Sequence, residues 1–337
     1  MYLYKFLLCI KEDFIMRVTP DMIDKQLRFK GKLMSKLVRY NSPKNFKINN
    51  KILEKLYKGK NSKKMICEEQ YIAKKDGGVI RLCIYRPIDS KPNATGLLWI
   101  HGGGYAMCVP EQDMYYFENF TSVANCVIVA PDYTSSLVKP YPAAFIECYD
   151  ILCWMKENSH KLGIRDDQLF VGGGSCGGGL TAAISLYARD TKEVNIAFQM
   201  PLYPMIDDRM NTYSAIDNNA PVWDSINNEL GWKLYLDDLF ESDNVPKYAA
   251  PAREVDYSSL PPTFSFVGEI EPFHDETVTY MKNLREAGVK THFSVYGGCY
   301  HGFDTICPKS DKGKSAIKEM LRVFQYATEN YFAKQDN

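Results

Sequence analysis

The sequence predicts an α/β fold in which a mostly parallel central sheet is flanked by helices. From about residue 68 the chain holds short, nearly continuous apolar runs, and helix-length segments separate most of them. This alternation is typical of parallel strands that are buried on both faces. The predicted strands are residues 79–85, 96–100, 126–130, 169–171, 196–200, 263–267 and 292–296. The predicted helices are residues 111–124, 142–157, 177–189, 274–287 and 311–332.

Two regions stand outside this alternation. Thr19 and Pro20 are typical of a helix start, and apolar residues then recur at helical spacing as far as Tyr40. Gly31 weakens the middle of this stretch, so two short helices are an alternative to one. Residues 44–64 are interpreted as a lysine-rich link. Residues 203–250 contain no strand candidate and are interpreted as an insertion.

Charge is distributed unevenly along a chain whose net charge is zero. Residues 1–66 contain 17 Lys and Arg against 5 Asp and Glu, whereas the remaining residues contain 24 against 36. A basic end of this kind either covers an acidic body or meets an anionic surface. The composition, with 45% hydrophobic and 24% charged residues, is that of a soluble globular protein and excludes a disordered or fibrous chain.

The cysteines and the N-terminus favour a cytoplasmic protein. Ten cysteines without a CxxC pair or zinc-ligand spacing predict reduced thiols, no metal and no disulfide scaffold. The apolar start of the chain is interrupted by Lys5 and lacks the features of a signal peptide. Since no run reaches transmembrane length, we expect no stable membrane association.

The strongest local motif is the glycine-rich segment 171–180, between a predicted strand and a predicted helix. Gly173-x-Ser175-x-Gly177 fits a nucleophile elbow, in which serine sits on a strained strand-to-helix turn. The same letters fit a dinucleotide fingerprint through Gly172, Gly174 and Gly177, which would make the protein an oxidoreductase. A third interpretation is a glycine-rich turn that only allows the helix and the strand to pack closely. Position argues against the fingerprint, because it normally opens its βαβ unit and three strand–helix candidates precede this one.

A second motif, His101-Gly102-Gly103-Gly104, follows the predicted strand 96–100. Consecutive glycines present backbone N–H groups toward one point, as acyl transfer needs for the oxyanion of its tetrahedral intermediate. We interpret His101 as a residue that holds this loop by hydrogen bonds, not as a base.

A serine nucleophile also needs a histidine and an acid, here expected in the chain order serine, acid, histidine. His301 lies just past the last predicted strand, where a loop can carry it over the carboxyl edge of the sheet. The acid should leave the preceding strand at the same edge. Glu269, Glu271 and Asp275 all meet that condition by position alone.

Taken together, the ordered motifs resemble the hormone-sensitive-lipase-like family of α/β-hydrolases, the bacterial HGGG-type esterases. The resemblance covers about residues 68 to 330 and rests on His101-Gly-Gly-Gly, Gly-x-Ser175-x-Gly-Gly, Gly-x-x-Glu271-Pro-x-x-Asp-Glu and His301-Gly-Phe. It implies an α/β-hydrolase fold with a catalytic domain of residues 67–202 and 251–337. It also implies a mainly helical cap built from residues 1–66 and the insertion 203–250.

The resemblance further implies the role of each residue at the site. Ser175 would be the nucleophile, His301 the base and Glu271 the acid that orients it. The backbone amides of Gly103, Gly104 and Cys176 would form the oxyanion hole. The implied activity is that of a serine carboxylesterase without a metal or cofactor; an amidase, lactonase or carbohydrate deacetylase of the same fold is the alternative.

Three residues depart from the family pattern. Glu271 replaces the usual aspartate, Gly174 replaces the aspartate that commonly precedes the nucleophile, and Cys176 replaces a small alanine. The thiol of Cys176, at a helix N-terminus, would be unusually acidic or would serve merely as a small side chain.

The substrate is expected to be a small ester with a short acyl chain, acetyl to butyryl. Aromatic residues in or near the glycine loop and the insertion are candidates for lining its cleft: Tyr105, Tyr203, Trp223 and Trp232. Packing of the cap onto the body is an equal alternative for each of them. No nucleic-acid partner is expected, and the sequence leaves a homodimer open.

Overall fold

The computed structural model describes residues 16–37, 40, 42–75, 77–107 and 109–336. Its centre is one eight-stranded sheet in the order β1-β2-β4-β3-β5-β6-β7-β8. The two contacts of β2, with β1 and β4, are antiparallel, and the other strand pairs are parallel. The strands are β1 (Met65–Ala73), β2 (Val79–Pro87), β3 (Ala94–Ile100), β4 (Cys126–Asp132), β5 (Ile164–Gly174), β6 (Phe198–Leu202), β7 (Thr263–Gly268) and β8 (Thr291–Tyr296).

Helices cover both faces of this sheet, so the predicted mostly parallel α/β architecture is confirmed. The helices are α1 (Arg28–Leu37), α2 (Pro43–Tyr57), α3 (Met114–Val123), α4 (Ala143–Glu157), α5 (Ser159–Leu162), α6 (Cys176–Thr191), α7 (Ser225–Leu236), α8 (His274–Glu286), α9 (Phe303–Ile306) and α10 (Asp311–Asn330). Apolar residues of α4 and α6 pack on one face and those of α3 and α10 on the other. All seven predicted strands and all five predicted helices of the body are present within a few residues of their expected bounds.

The N-terminal region differs from the prediction in two places. Residues 20–27 form turns, and helix α1 begins only at Arg28. The expected lysine-rich link at 44–64 is wrong, because most of it is helix α2. The side chain of Ser42 caps this helix by accepting the amide of Asn45, and Pro43 occupies its first turn. Phe46 is fully buried and fixes the inner face of the helix.

Strand β1 was not predicted, for a physical reason. It is an edge strand whose middle residues Glu68, Glu69 and Gln70 are exposed, so it shows no apolar run. It is held by its antiparallel ladder with β2, which pairs every residue from Met65 to Ala73. A strand that is held by backbone hydrogen bonds to its neighbour, with few buried side chains, has no hydropathy pattern from which it could be predicted.

The insertion 203–250 contains no strand, as expected, and its regular structure is α7 with a short 3₁₀ turn after it. Its chain passes above the carboxyl ends of the strands, where Tyr203 and Trp223 meet residues of the body. In the part of the chain that the structure describes, no helix is both long enough and apolar enough to cross a bilayer.

Candidate active site

Ser175 lies on a tight turn between β5 and α6, with φ +61° and ψ −126°. A positive φ is unusual for a residue with a side chain, and here it lifts the hydroxyl above the sheet. At this turn the chain passes extremely close to the end of β3. A Cβ atom at Gly177 would lie 2.0 Å from the carbonyl oxygen of Ile100, so only glycine fits.

The hydroxyl of Ser175 is the start of a chain of hydrogen bonds. It donates to Nε2 of His301 across 2.9 Å, and Nδ1 of His301 donates to Oε2 of Glu271. The second carboxylate oxygen of Glu271 accepts the amide of Gly268 at 2.7 Å. Glu271 is fully buried and His301 almost so. A base, held by a buried acid, therefore stands within proton-transfer distance of the serine.

The loops after β7 and β8 bring these residues together. Glu271 follows β7 and His301 follows β8, and the two strands run in parallel so that both loops leave at one edge. The other acids considered from position have different partners. Glu269 accepts the amide of Gly298 at 2.8 Å, and Asp275 binds Nδ1 of His274 and the amide of Ser214. Of the three acids, the structure places Glu271 against His301.

The glycine loop after β3 runs beside the serine. Gly103 and Gly104 both have positive φ, and a Cβ atom at Gly102 would lie 3.3 Å from that of Ser175. His101 stacks on Tyr133 with ring centroids 4.2 Å apart, and the Tyr133 hydroxyl donates to the His101 carbonyl. Burial lowers the pKa of His101, which therefore acts as a neutral, packed residue at the base of the loop.

Cys176 does not have an acidic thiol. Burial raises its pKa to about 11, although the amides of Tyr105 and Gly104 favour the thiolate. Of the two alternatives for Cys176, the structure agrees with the small side chain, because complete desolvation outweighs the effect of the helix N-terminus on the pKa of the thiol. Its side chain is a small, buried body beneath the glycine loop.

The replacement of the family aspartate by Gly174 has a structural explanation. The ring of Tyr203 fills the space that a side chain at position 174 would need, since a Cβ atom there would lie 3.1 Å from it. The Tyr203 hydroxyl donates to the Tyr116 hydroxyl at 2.8 Å, and Tyr116 donates to Asp304. Tyr203 also meets the ring of His301 edge to face, with centroids 4.9 Å apart.

This tyrosine chain was missed by sequence reasoning. Asp304 is fully buried, and burial raises the pKa of its carboxyl to about 6. Asp113 lies nearby, accepts the indole N–H of Trp99 at 2.8 Å, and has a pKa raised by burial to about 7. Asp304 directly follows the His301-Gly-Phe motif, so its proximity to the site could have been predicted from the sequence. Tyr116 belongs to no motif, and its sequence neighbours give no indication of its role.

A cavity of about 690 Å³ opens above Ser175 and His301. Of the four aromatic candidates, Tyr203 and Trp223 line it, and the indole of Trp223 lies against Gly104. Tyr105 and Trp232 are not on its wall, which corrects the expectation for these two. The Tyr105 hydroxyl is satisfied by the carbonyl of Met205, and its ring packs on Tyr235 and Trp232 inside the core.

A buried ion cluster joins α2 to the glycine-loop side of the site. The Arg81 guanidinium makes two hydrogen bonds with Glu111, at 2.8 and 3.0 Å, and one with Asp132 at 3.0 Å. Lys58 and the amide of Gly59, just after α2, bind the same two acids. Burial alone would raise the pKa of Glu111, but its bonds to Arg81 and Gly59 lower the pKa overall.

Among the described residues, no group of three His, Cys, Asp or Glu side chains is arranged to hold a metal ion.

The fold is that of the α/β-hydrolases, and at the carboxyl edge of its sheet a serine, a histidine and a buried acid lie together. A family profile described as "alpha/beta hydrolase fold" matches residues 97–305, and the chain belongs to this family. An arylesterase from Saccharolobus solfataricus is 29% identical over 65% of this chain and 71% of its own. Carboxylesterase NlhH from Mycobacterium tuberculosis is 28% identical over 71% of this chain and 78% of its own.

Solved structures show the same likeness. A bacterial heroin esterase superposes with a TM-score of 0.84 at 26% identity, covering 92% of this chain and 99% of that one. Brefeldin A esterase, a bacterial homologue of human hormone-sensitive lipase, superposes with a TM-score of 0.74 over 84% of each chain. At 20% identity the second comparison shows the fold alone.

Proposed function

We propose that this protein is a serine carboxylesterase that hydrolyses small esters through an acyl-enzyme intermediate. The observation that carries the proposal is the hydrogen-bonded chain from Ser175 through His301 to the buried Glu271, open to a cavity on the serine side. Relatives that share most of the catalytic region are named arylesterase and carboxylesterase, which supports an ester as the substrate.

The proposed reaction has two halves. Ser175 attacks the ester carbonyl as His301 takes the hydroxyl proton, and His301 then returns that proton to the leaving alcohol. Water attacks the resulting acyl-serine, again with His301 as base, and releases the acid and the free serine. Glu271 stabilises the imidazolium in both halves. We assign the backbone amides of Gly103, Gly104 and Cys176 to the oxyanion, whose stabilisation by one such donor is worth about 3 kcal/mol.

The cavity favours a short acyl group. Trp223 lies against Gly104, one of the proposed oxyanion residues, and packs on Phe46 and Tyr40. These aromatic rings limit the space beside the proposed oxyanion hole. We expect p-nitrophenyl acetate and butyrate to be hydrolysed faster than long-chain triglycerides. Faster cleavage of the triglycerides would contradict the short-chain assignment.

A covalent label tests the nucleophile. A fluorophosphonate should inactivate the protein with a one-to-one adduct on the peptide that contains Ser175, because attack at phosphorus needs the same activated hydroxyl. Ser175→Ala should take up no label and lose hydrolysis of p-nitrophenyl acetate. The exposed Ser122→Ala is the matched control and should label normally. A label on another residue, or full activity in Ser175→Ala, would overturn the proposal.

The acid is tested by a pair of substitutions in one loop. Glu271→Gln should lower kcat by about two to four orders of magnitude, since an amide cannot stabilise the imidazolium as a carboxylate does. Glu269→Gln removes a carboxylate that binds only the Gly298 amide among the described contacts, and should change kcat less than about threefold. The reverse order would refute the assignment of Glu271.

We propose that α1, α2 and the insertion 203–250 together roof the site as its cap. Leu33 and Met34 of α1, Leu53 and Tyr57 of α2, and Trp223 of the insertion all line the cavity. Deletion of residues 1–66 should therefore impair hydrolysis of p-nitrophenyl acetate or the solubility of the protein. A deletion variant with unchanged activity would separate these helices from the site.

A further inference from the structure

Helices α1 and α2 each expose a stripe of apolar side chains to solvent. On α1 the stripe consists of Phe29, Leu33 and Leu37, and on α2 it consists of Ile48, Ile52 and Leu56. The spacing of four residues places each trio along one face of its helix. Phe29 is 80% exposed and Leu37 is 66% exposed, values that leave most of each side chain without protein contact. We call these six residues the apolar stripes.

Lysines border both stripes. Lys32 and Lys36 alternate with the stripe on α1, and Lys44, Lys47, Lys51 and Lys55 do so on α2; all six are exposed. Within the described part of residues 16–66, the ion pairs to acids outside this region come from Arg17, Lys58 and Lys64. The charge of the stripe lysines therefore faces solvent rather than neutralising the acidic body.

The stripes adjoin the mouth of the cavity. Leu33 belongs to the stripe on α1 and also lines the cavity, where Lys30 and Met34 of the same helix accompany it. On α2, Leu53 and Tyr57 line the cavity from positions next to Ile52 and Leu56. A surface that bound these stripes would thus lie directly at the opening above Ser175.

We infer that the apolar stripes and their lysines form a reversible docking site for an anionic lipid bilayer. Basic helices with one apolar face bind the boundary between headgroups and acyl chains, where lysines meet anionic lipid and the apolar residues enter the acyl layer. Contact between two copies through this face would bring the lysines of each copy against those of the other, which is unfavourable. Docking would let an ester dissolved in the bilayer enter the cavity without crossing water.

The first test is sedimentation of the full-length protein with lipid vesicles. Binding should be strong with vesicles that contain phosphatidylglycerol and weaker by about tenfold or more with phosphatidylcholine alone, because the lysines supply much of the attraction. Raising the salt concentration from ~0.1 M to ~0.5 M should release most of the protein, since salt screens exposed charges.

Two variants separate the contributions of the apolar and charged side chains. Phe29→Ser/Ile52→Ser should lower binding to the anionic vesicles by about tenfold or more, and so should Lys32→Glu/Lys36→Glu. None of these four residues lines the cavity, so hydrolysis of p-nitrophenyl acetate in water should be unchanged. Matched controls on the body are Val138→Ser/Val255→Ser and Lys314→Glu/Lys318→Glu, which alter exposed residues elsewhere and should bind like the unaltered protein.

Three outcomes would overturn the inference. The first is equal binding to neutral and anionic vesicles or no binding to either, and the second is an equal loss in the control variants. The third is a dimer in analytical ultracentrifugation that Phe29→Ser/Ile52→Ser dissociates while no vesicle binding is seen, which would assign the stripes to a contact between copies. Because vesicle binding is measured without catalysis, it can succeed where the proposed esterase activity fails, and the reverse.

Discussion

The turn that carries Ser175 and the helices α1 and α2, which line part of the cavity above it, are built in opposite ways. At the turn, β5 and α6 pass so close to β3 that backbone meets backbone, and the residues from Val171 to Ala183 are all buried. On α1 and α2, apolar side chains stand in solvent, and a single residue of each helix, Gly31 and Phe46, is buried. The turn leaves no space for a methyl group at Gly177, whereas the helices leave large parts of their apolar side chains in solvent.

The contrast extends to charge. Beside α2, Arg81 forms ion pairs with both Glu111 and Asp132 inside the protein, as a buried charge requires. On α1 and α2, by contrast, the lysines that border the apolar stripes are exposed to solvent. Regions with buried, mutually dependent groups tolerate little change, whereas an exposed surface can be altered with little effect on folding. Four substitutions test this difference, from the most to the least damaging.

Gly177→Ala should be the most destabilising of the four. The new Cβ atom would lie 2.0 Å from the carbonyl oxygen of Ile100 and 2.7 Å from that of His101, and backbone cannot move aside as a flexible side chain can. We expect a loss of about 4 kcal/mol or more in the free energy of unfolding, measured by urea denaturation. Gly297→Ala is the control, because its Cβ would find ordinary contact at 3.5 Å. Equal losses for the two would disprove the close approach.

Arg81→Met should cost about 3–5 kcal/mol of unfolding free energy, because it leaves Glu111 buried without its main counter-charge. Denaturation in urea at neutral pH measures the loss. Arg86→Met, on the same strand, removes a pair with the half-exposed Glu68 and should cost about 1 kcal/mol or less. If both variants lost the same small amount, the Arg81 cluster would not hold α2 and the body together as the distances indicate.

Asp304→Asn should change how stability depends on pH. Burial raises the folded-state pKa of this acid from 3.8 to about 6, so between those values the unfolded chain releases a proton that the folded protein keeps. The unaltered protein therefore loses stability as pH rises from 4 to 6, by up to about 3 kcal/mol, and Asp304→Asn lacks that loss. The difference in unfolding free energy between the two should shift in favour of the variant over this range.

A tyrosine variant separates burial from hydrogen bonding in this effect. Tyr116→Phe removes the hydroxyl that Asp304 binds but keeps the buried carboxyl, so the decline in stability between pH 4 and 6 should persist in it. A stability difference between Asp304→Asn and the unaltered protein that stays flat with pH would show that Asp304 is not the titrating group.

The same contrast explains how far sequence reasoning reached. The body was predictable because buried parallel strands need apolar runs, and because a tight turn and an amide-lined loop need glycines at Gly177 and Gly103. Ser175, Glu271 and His301 meet because each follows a strand of the parallel part of the sheet, and these strands end at one edge. Each of these features depends on residues that are close together in the sequence, so a short stretch of sequence is enough to predict it.

What was missed depends on contacts between distant segments. Position alone could not choose among three acids, since their difference lies in whether a side chain meets His301 or a backbone amide. Strand β1 is held by its hydrogen bonds with β2. Tyr203 is held beside Gly174 by hydrogen bonds that run through Tyr116 to Asp304. Helix α2 was predicted as a link because its sequence is rich in lysine and its apolar residues do not form a single buried face. Phe46 is its one buried residue.

Phe29→Ser should have the smallest effect on folding. Its ring is 80% exposed, so its removal from the folded protein breaks few contacts, and the unfolding free energy should change by less than about 0.5 kcal/mol. Phe46→Ala, on the buried face of the neighbouring helix, should by contrast cost about 3 kcal/mol or more. A large loss for Phe29→Ser would mean that the stripe is covered within the folded chain. In that case the apolar residues of α1 and α2 would serve folding, and no lipid surface would be needed to explain why they are apolar.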